Sequence, residues 1–258
     1  MPLLLLLGTA SFVVGIGAFA VIGVLPLLSA DFGLGPVGAS WVMTSYALAY
    51  AVGSPLLTSL SGRFTRQRVL VGGMLVFSCG LIGTAFAPSA EVLYAARVVT
   101  ALGAGIVSPG AAAVAVASVP PERRGQALSI AFGGITLSQV VGVPASSYLG
   151  YHYGWPSVFV FMTAAAVAMA IALWLKVPSD LRIAPARLSD LVATLKDFNL
   201  AIAVLLTATV MGAGWIPYTF LAAMVEEKLP GTGAGAIAVM LVAYGVCSVL
   251  GNAIGGKI

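Results

Sequence analysis

Eight long stretches of this chain carry almost no charge, and they constrain its fold more than any other feature. They run over about 4–29, 39–61, 68–87, 91–117, 127–149, 156–176, 199–224 and 235–257. A helix needs about 20 apolar residues to cross the hydrocarbon core of a bilayer, and each stretch meets that length. With 60% hydrophobic and 8% charged residues over 258 positions, the chain holds far more apolar surface than a soluble domain of this size can bury. The expectation is an all-α polytopic membrane protein with eight transmembrane helices. The N-terminal run MPLLLLLGTASFVVGIGAF lacks the basic start of a signal peptide and stays apolar too long for one, so it reads as the first span.

The charges orient the spans. Arg63, Arg66 and Arg68 fall between spans 2 and 3, and Arg123 and Arg124 between spans 4 and 5. Lys176, Arg182, Arg187 and Lys196 follow span 6, and Lys257 ends span 8. Ten of the twelve basic residues therefore lie on one side, with Lys228 on the other and Arg97 inside span 4. The positive-inside rule makes the basic side cytoplasmic, and the N-terminus with it. The net charge of +4 is thus spread over loops, which speaks against a nucleic-acid partner; the lipid bilayer is the expected surrounding. Trp41, Trp155 and Trp174 fall at span ends, where interfacial anchors belong. The connections are short except for 177–198, which is polar, holds Pro178 and Pro185, and reads as a central linker with a surface helix. Cys79 and Cys247 lie in apolar spans and read as reduced packing residues; no Cys/His spacing suggests a metal site.

The fifth span is unusual. Gly133 to Trp155, GGITLSQVVGVPASSYLGYHYGW, has no charged side chain. Gly134, Gly142, Ser146 and Gly150 are spaced by four or eight, which lines small residues along one face and lets another backbone approach. Pro144 removes a backbone donor in mid-span and bends the helix, so a neighbouring helix or a cavity must compensate. Read alone, this is a helix-packing strip with a proline. The order Gly142-Val143-Pro144, Ser146-Ser147, Gly150 and Gly154-Trp155 also resembles the fifth-helix antiporter motif of major facilitator superfamily exporters. The closest resemblance is to the twelve-helix drug:proton antiporter branch with its sugar-efflux-like members. Ser146 and Pro156 depart from the usual G-x-P-x-G-T and G-W-R. The resemblance implies a conformational role for Gly142 and Pro144.

Other stretches carry the same resemblance. Leu60-Ser61-Gly62-Arg63-Phe64-Thr65-Arg66-Gln67-Arg68 is similar to the superfamily's loop motif G-x-L-x-D-R-x-G-R-R, with Arg63 and Arg66 at its basic positions. Gly62 stands where that motif has Asp, Thr65 where it has Gly, and Thr58 where it has its first Gly. Arg97 followed by Gly103 and Gly105 is similar to the fourth-helix motif, in which the Arg faces the transport pathway. From position alone, Arg97 is either a functional residue, since an ionisable group in a span is costly, or one that snorkels to the headgroups. Pro120-Pro121-Glu122-Arg123-Arg124-Gly125 looks like the family's loop between helices four and five. Gly251 to Ile258 looks like the start of a second copy of the loop motif.

The resemblance implies a six-helix N-terminal bundle over 1–176, a cytoplasmic central linker over 177–198, and the first two helices of an incomplete C-terminal bundle over 199–258. It also implies a bacterial inner-membrane exporter working by alternating access, with a small-molecule substrate and a proton as partners and no cofactor. Relatives often carry an acid in the first helix, but Gly17-Ala18-Phe19 has alanine there, and none of the eight acids lies deep in a span. Polar and aromatic residues inside spans are the candidate pathway: Tyr46, Tyr50, Gln139, Trp215, Tyr218 and Arg97. An intramembrane enzyme is the poorer reading, because no Ser/His or Asp/Asp pair lies within the spans. A receptor, a structural subunit or an inactive truncated fragment are the alternatives, and the 258 residues by themselves are expected not to transport.

Overall fold

Proline and glycine set the helix ends. The structure is a computed structural model describing residues 1–181, 193–194, 196–228 and 234–255, without the side chains of 215–228, 234–238, 241 and 252–253. Among the described residues eight long helices follow in order: α1 (Pro2–Asp31), α2 (Pro36–Leu60), α3 (Arg66–Ala85), α4 (Ala90–Ala117), α5 (Arg124–Tyr153), α6 (Trp155–Lys176), α7 (Phe198–Lys228) and α8 (Ala234–Gly255). Pro2, Pro36 and Pro156 occupy first turns, where a missing N–H leaves no hydrogen bond unmade. Gly154 alone separates α5 from α6, at φ 82°, a conformation that suits a residue without Cβ.

Five of these helices, α1, α3, α4, α5 and α6, are long and apolar enough to cross a membrane. The expectation of eight is therefore met only in part. α2 has membrane length at 25 residues, but Ser40, Thr44, Ser45, Tyr46, Tyr50, Ser54 and Thr58 lower its hydropathy. In α7 and α8 the described apolar stretches are Phe198–Gly214 and Val242–Gly251. Most of the expected central linker lies outside the described residues, including Arg182 and Arg187.

Small residues decide which helices touch. α1 and α5 run parallel, with Gly8 against Ile130, Gly15 against Ser138 and Gly23 against Ser146. A Cβ on Gly134 would collide with the Gly8 carbonyl oxygen and lie 2.6 Å from the Phe12 nitrogen, so the two backbones meet directly there. α3 and α4 run antiparallel on a second such seam, where Gly80 faces the Thr100 backbone and Gly103 faces that of Phe77. α2 also packs on α4, and Ser54 Oγ donates to the Gly105 carbonyl at 2.8 Å. α3 packs on α6, and α8 lies along α5. Three buried hydroxyls follow the rule for polar groups in lipid. Ser78, Thr84 and Thr100 each donate to the carbonyl four residues back in their own helix, at 2.8–2.9 Å.

Two long-range contacts close the ends of the bundle. At one end Trp155 Nε1 donates to Asp31 Oδ2 at 2.9 Å, and the indole packs beside Phe32 and edge-on to Phe159. Trp155 is buried, so the reading of it as an interfacial anchor is corrected; Trp41 and Trp174 are exposed at span ends as that reading requires. At the other end Gln67 Nε2 donates to the carbonyls of Trp174, at 2.6 Å, and Val177, at 2.9 Å. The last turn of α6 leaves carbonyls without helical donors, and the Gln67 amide supplies two hydrogens there. The Arg66 backbone N–H donates to the Leu181 carbonyl at 3.0 Å, fixing the chain that leaves α6 to the start of α3. Cys79 and Cys247 are free thiols on exposed faces instead of packed seams.

Candidate functional site

Arg97 lies on the buried face of α4 with no exposed surface. Its Nη1 donates to the Gly17 carbonyl at 3.1 Å and its Nη2 to the Ala18 carbonyl at 3.4 Å, both on α1. Its Cζ sits 4.5 Å from the centre of the Tyr46 ring on α2. Tyr46 in turn stacks on Tyr50, one helical turn on, with ring centres 6.3 Å apart. Three helices thus converge on one guanidinium, and Arg97 is not a snorkelling residue. The carbonyls that receive it belong to the level of α1 where Gly17 abuts the Phe77 ring.

This arrangement leaves the charge only partly answered. Two carbonyl dipoles and one ring face stabilise it. The Arg97 Nε–H has no hydrogen-bond partner. Among the described acids, Asp31 is the last residue of α1, Glu91 lies in the first turn of α4, and Glu122 lies in the turn before α5. Asp180 and Asp197 fall between α6 and α7, so no described carboxylate lies in the middle of a helix. Arginine stays protonated in proteins, so the bundle holds a buried cation without a counter-ion among the described residues.

Gln139 stands apart from this group. It is buried on α5 and lines a cavity of about 680 Å³ between α5, α7 and α8. Thr136, Thr207, Tyr244 and Ser248 share that wall with apolar residues such as Phe132 and Met211. Tyr244 donates from its hydroxyl to the Gly214 carbonyl at 3.0 Å, joining α8 to α7 beside the cavity. Tyr244 went unmarked in the sequence reading, although an aromatic hydroxyl inside an apolar span is the signal that marked Tyr46 and Tyr50. The side chains of Trp215 and Tyr218 lie outside the described residues.

The motif residues are spread through the fold. Arg63 is exposed in the turn after α2, while Arg66 is buried at the start of α3. Gly103 belongs to the α3–α4 seam and Gly142 to the α1–α5 seam, where it meets Ile16. α5 stays helical through Pro144. The carbonyl that Pro144 deprives of its helical donor is that of Val140, and a Cβ on Gly245 of α8 would lie 2.6–3.2 Å from that residue. Among the described residues no group of three His, Cys, Asp or Glu side chains could hold a metal ion.

The sequence profile described as Major Facilitator Superfamily matches residues 7–258. The chain belongs to the major facilitator superfamily. It is 33% identical over 258 residues to the uncharacterized MFS-type transporter YtbD of Bacillus subtilis, covering all of this chain and 65% of that protein. It is also 33% identical over 264 residues to a chloramphenicol resistance protein of Streptomyces lividans, covering all of this chain and 67% of that protein. Its fold is that of the proton:xylose symporter XylE, with a TM-score of 0.70 at 14% identity over 98% of this chain and 67% of XylE. The superfamily and its fold neighbours are transporters, not enzymes, and this member is a multi-pass membrane protein.

Proposed function

We propose that this superfamily member exports small amphipathic organic molecules by alternating access, driven by proton exchange. The observation that carries the reading is the cavity between α5, α7 and α8. Its volume falls in the range that holds drug-sized ligands, and its lining mixes apolar side chains with Gln139, Thr136, Tyr244 and Ser248. Similarity to a chloramphenicol resistance protein supports an amphipathic cargo of that size. In this reading residues 1–176 form an N-terminal six-helix bundle, 177–198 a cytoplasmic linker and 199–258 the first two helices of a second bundle. The α5–α8 contact, where Gly245 sits on Val140 beside Pro144, then becomes a point about which the bundles rock. Arg97, Tyr46 and Tyr50 belong to the pathway on the N-terminal side, and Arg63, Arg66, Gly103, Gly142 and Pro144 to the parts that move. Bacterial cells expressing this chain as part of a transporter with a complete second bundle should accumulate several-fold less radiolabelled chloramphenicol than cells without it, and a protonophore should abolish the difference. Unchanged accumulation with the protein present in the membrane would refute export of this class of cargo.

The same reading places the protein in the inner membrane with its N-terminus cytoplasmic, as the basic loops require. Single cysteines at positions 63 and 152, in a background lacking Cys79 and Cys247, test this. A membrane-impermeant maleimide added to intact cells should label position 152 and spare position 63. Labelling of both, or of position 63 alone, would overturn the orientation.

A further inference from the structure

We infer that the cavity between α5, α7 and α8 selects uncharged amphiphiles and rejects organic cations. This rests on the proposed export function and names the cargo's charge. The described cavity lining offers hydroxyls, one carboxamide and apolar surface, and no ionisable carboxylate or ammonium group. A ligand with hydroxyl, amide or carbonyl groups finds donors and acceptors there. A cation finds oxygen acceptors and ring faces there but no carboxylate to balance its charge, so much of its desolvation goes uncompensated.

Arg97 adds a second and independent bias. Its guanidinium donates to the α1 backbone at Gly17 and Ala18. The neighbouring Ile16 is the residue on which Gly142 of α5 packs, and Gly142 lies one turn beyond Gln139 on α5. The buried charge is thus about one interhelical spacing, roughly 10 Å, from the helix that supplies the cavity's carboxamide. No described acid lies between them to cancel it. Inside protein and lipid the field of such a charge is weakly screened, so a positive ligand is repelled and a neutral one is not.

Equilibrium dialysis of the purified chain in neutral detergent tests the inference without requiring transport. The probes are chloramphenicol, which is uncharged, and tetraphenylphosphonium, a lipophilic cation of similar bulk. Chloramphenicol should bind at least about tenfold more tightly than the cation, the scale set by one unpaired charge at this distance. Gln139→Glu, which puts a carboxylate of nearly the same shape into the lining, should shift that ratio toward the cation. Arg97→Met should shift it the same way by removing the repulsion. Equal or tighter binding of the cation by the parent chain would overturn the inference, as would no binding of chloramphenicol or a ratio that neither substitution moves. Selective binding combined with no export from cells would instead count against the exporter reading and leave the cavity's selectivity standing.

Discussion

Replacing Arg97 with methionine abolishes transport and leaves the protein folded. That is the expected result for cells expressing the variant chain within a transporter with a complete second bundle, and the reason is the balance of forces on the buried guanidinium. Two carbonyls and one tyrosine face contact it, its Nε–H is unpaired, and no carboxylate answers its charge. Exchanging a buried charge for a hydrophobic side chain of similar length is often neutral or stabilising. The carbonyls of Gly17 and Ala18 sit within α1, and helical N–H groups one turn on can still satisfy them. Thermal unfolding in detergent should therefore stay within about 1 kcal/mol of the parent or improve. Export should fall on the order of a hundredfold, as expected if an intramembrane charge is kept for function. Arg97→Lys should recover only part of it, because an ammonium cannot span two carbonyls while lying flat against Tyr46. Export by Arg97→Met at the parent rate would remove Arg97 from the pathway. Loss of the fold in Arg97→Met would make it a structural pin between α1, α2 and α4.

Leucine at position 134 prevents α1 from docking on α5. A Cβ there would occupy the place of the Gly8 carbonyl oxygen and lie 2.6 Å from the Phe12 nitrogen. These are backbone atoms of a helix, and they cannot swing aside as a side-chain tip can. Alanine should already cost about 1–3 kcal/mol, the usual penalty for inserting a methyl group into a packed core. Leucine should yield a protein that elutes as aggregate in size-exclusion chromatography. Gly72→Ala is the control, because nothing lies within 4 Å of a Cβ at that exposed position. It should be neutral or gain roughly 0.5–1 kcal/mol from helix propensity. A Gly134→Leu protein that elutes and melts like the parent would show that α1 and α5 are farther apart than the structure places them.

How much of this could be read from the residues depends on the kind of interaction. Span positions followed from long uncharged runs, because lipid rejects unpaired charge and irregular backbone alike. The faces of the helices were harder. A helix that is apolar all round has no hydrophobic side to give away its orientation, so packing shows only where small residues recur. Gly134, Ser146 and Gly150 were legible for that reason, and each lies on the α1–α5 seam. Gly15, Gly23 and Gly80 serve the same purpose, but on helices with many glycines and no proline motif beside them they were not distinguished, although Gly15 and Gly23 are themselves eight apart.

The sequence by itself determined that the chain is a helical membrane protein, where five of its long spans run, which residues are ionisable inside them, and, through its motifs, the family. Each of these is a local property, set by the composition of some 20 residues at a time or by a short run in fixed order. The tertiary structure alone decided what Arg97 touches, since Gly17 and Ala18 lie about 80 positions earlier in the chain and offer only backbone oxygens. It alone paired Trp155 with Asp31 across 124 positions, and Gln67 with the end of α6 more than 100 positions away. It also set Gln139 in the wall of the cavity with Tyr244 and Ser248, apart from the Arg97 cluster. Backbone carbonyls carry no residue-specific signal, and cavities arise where helices fail to meet; neither property is written in any one helix.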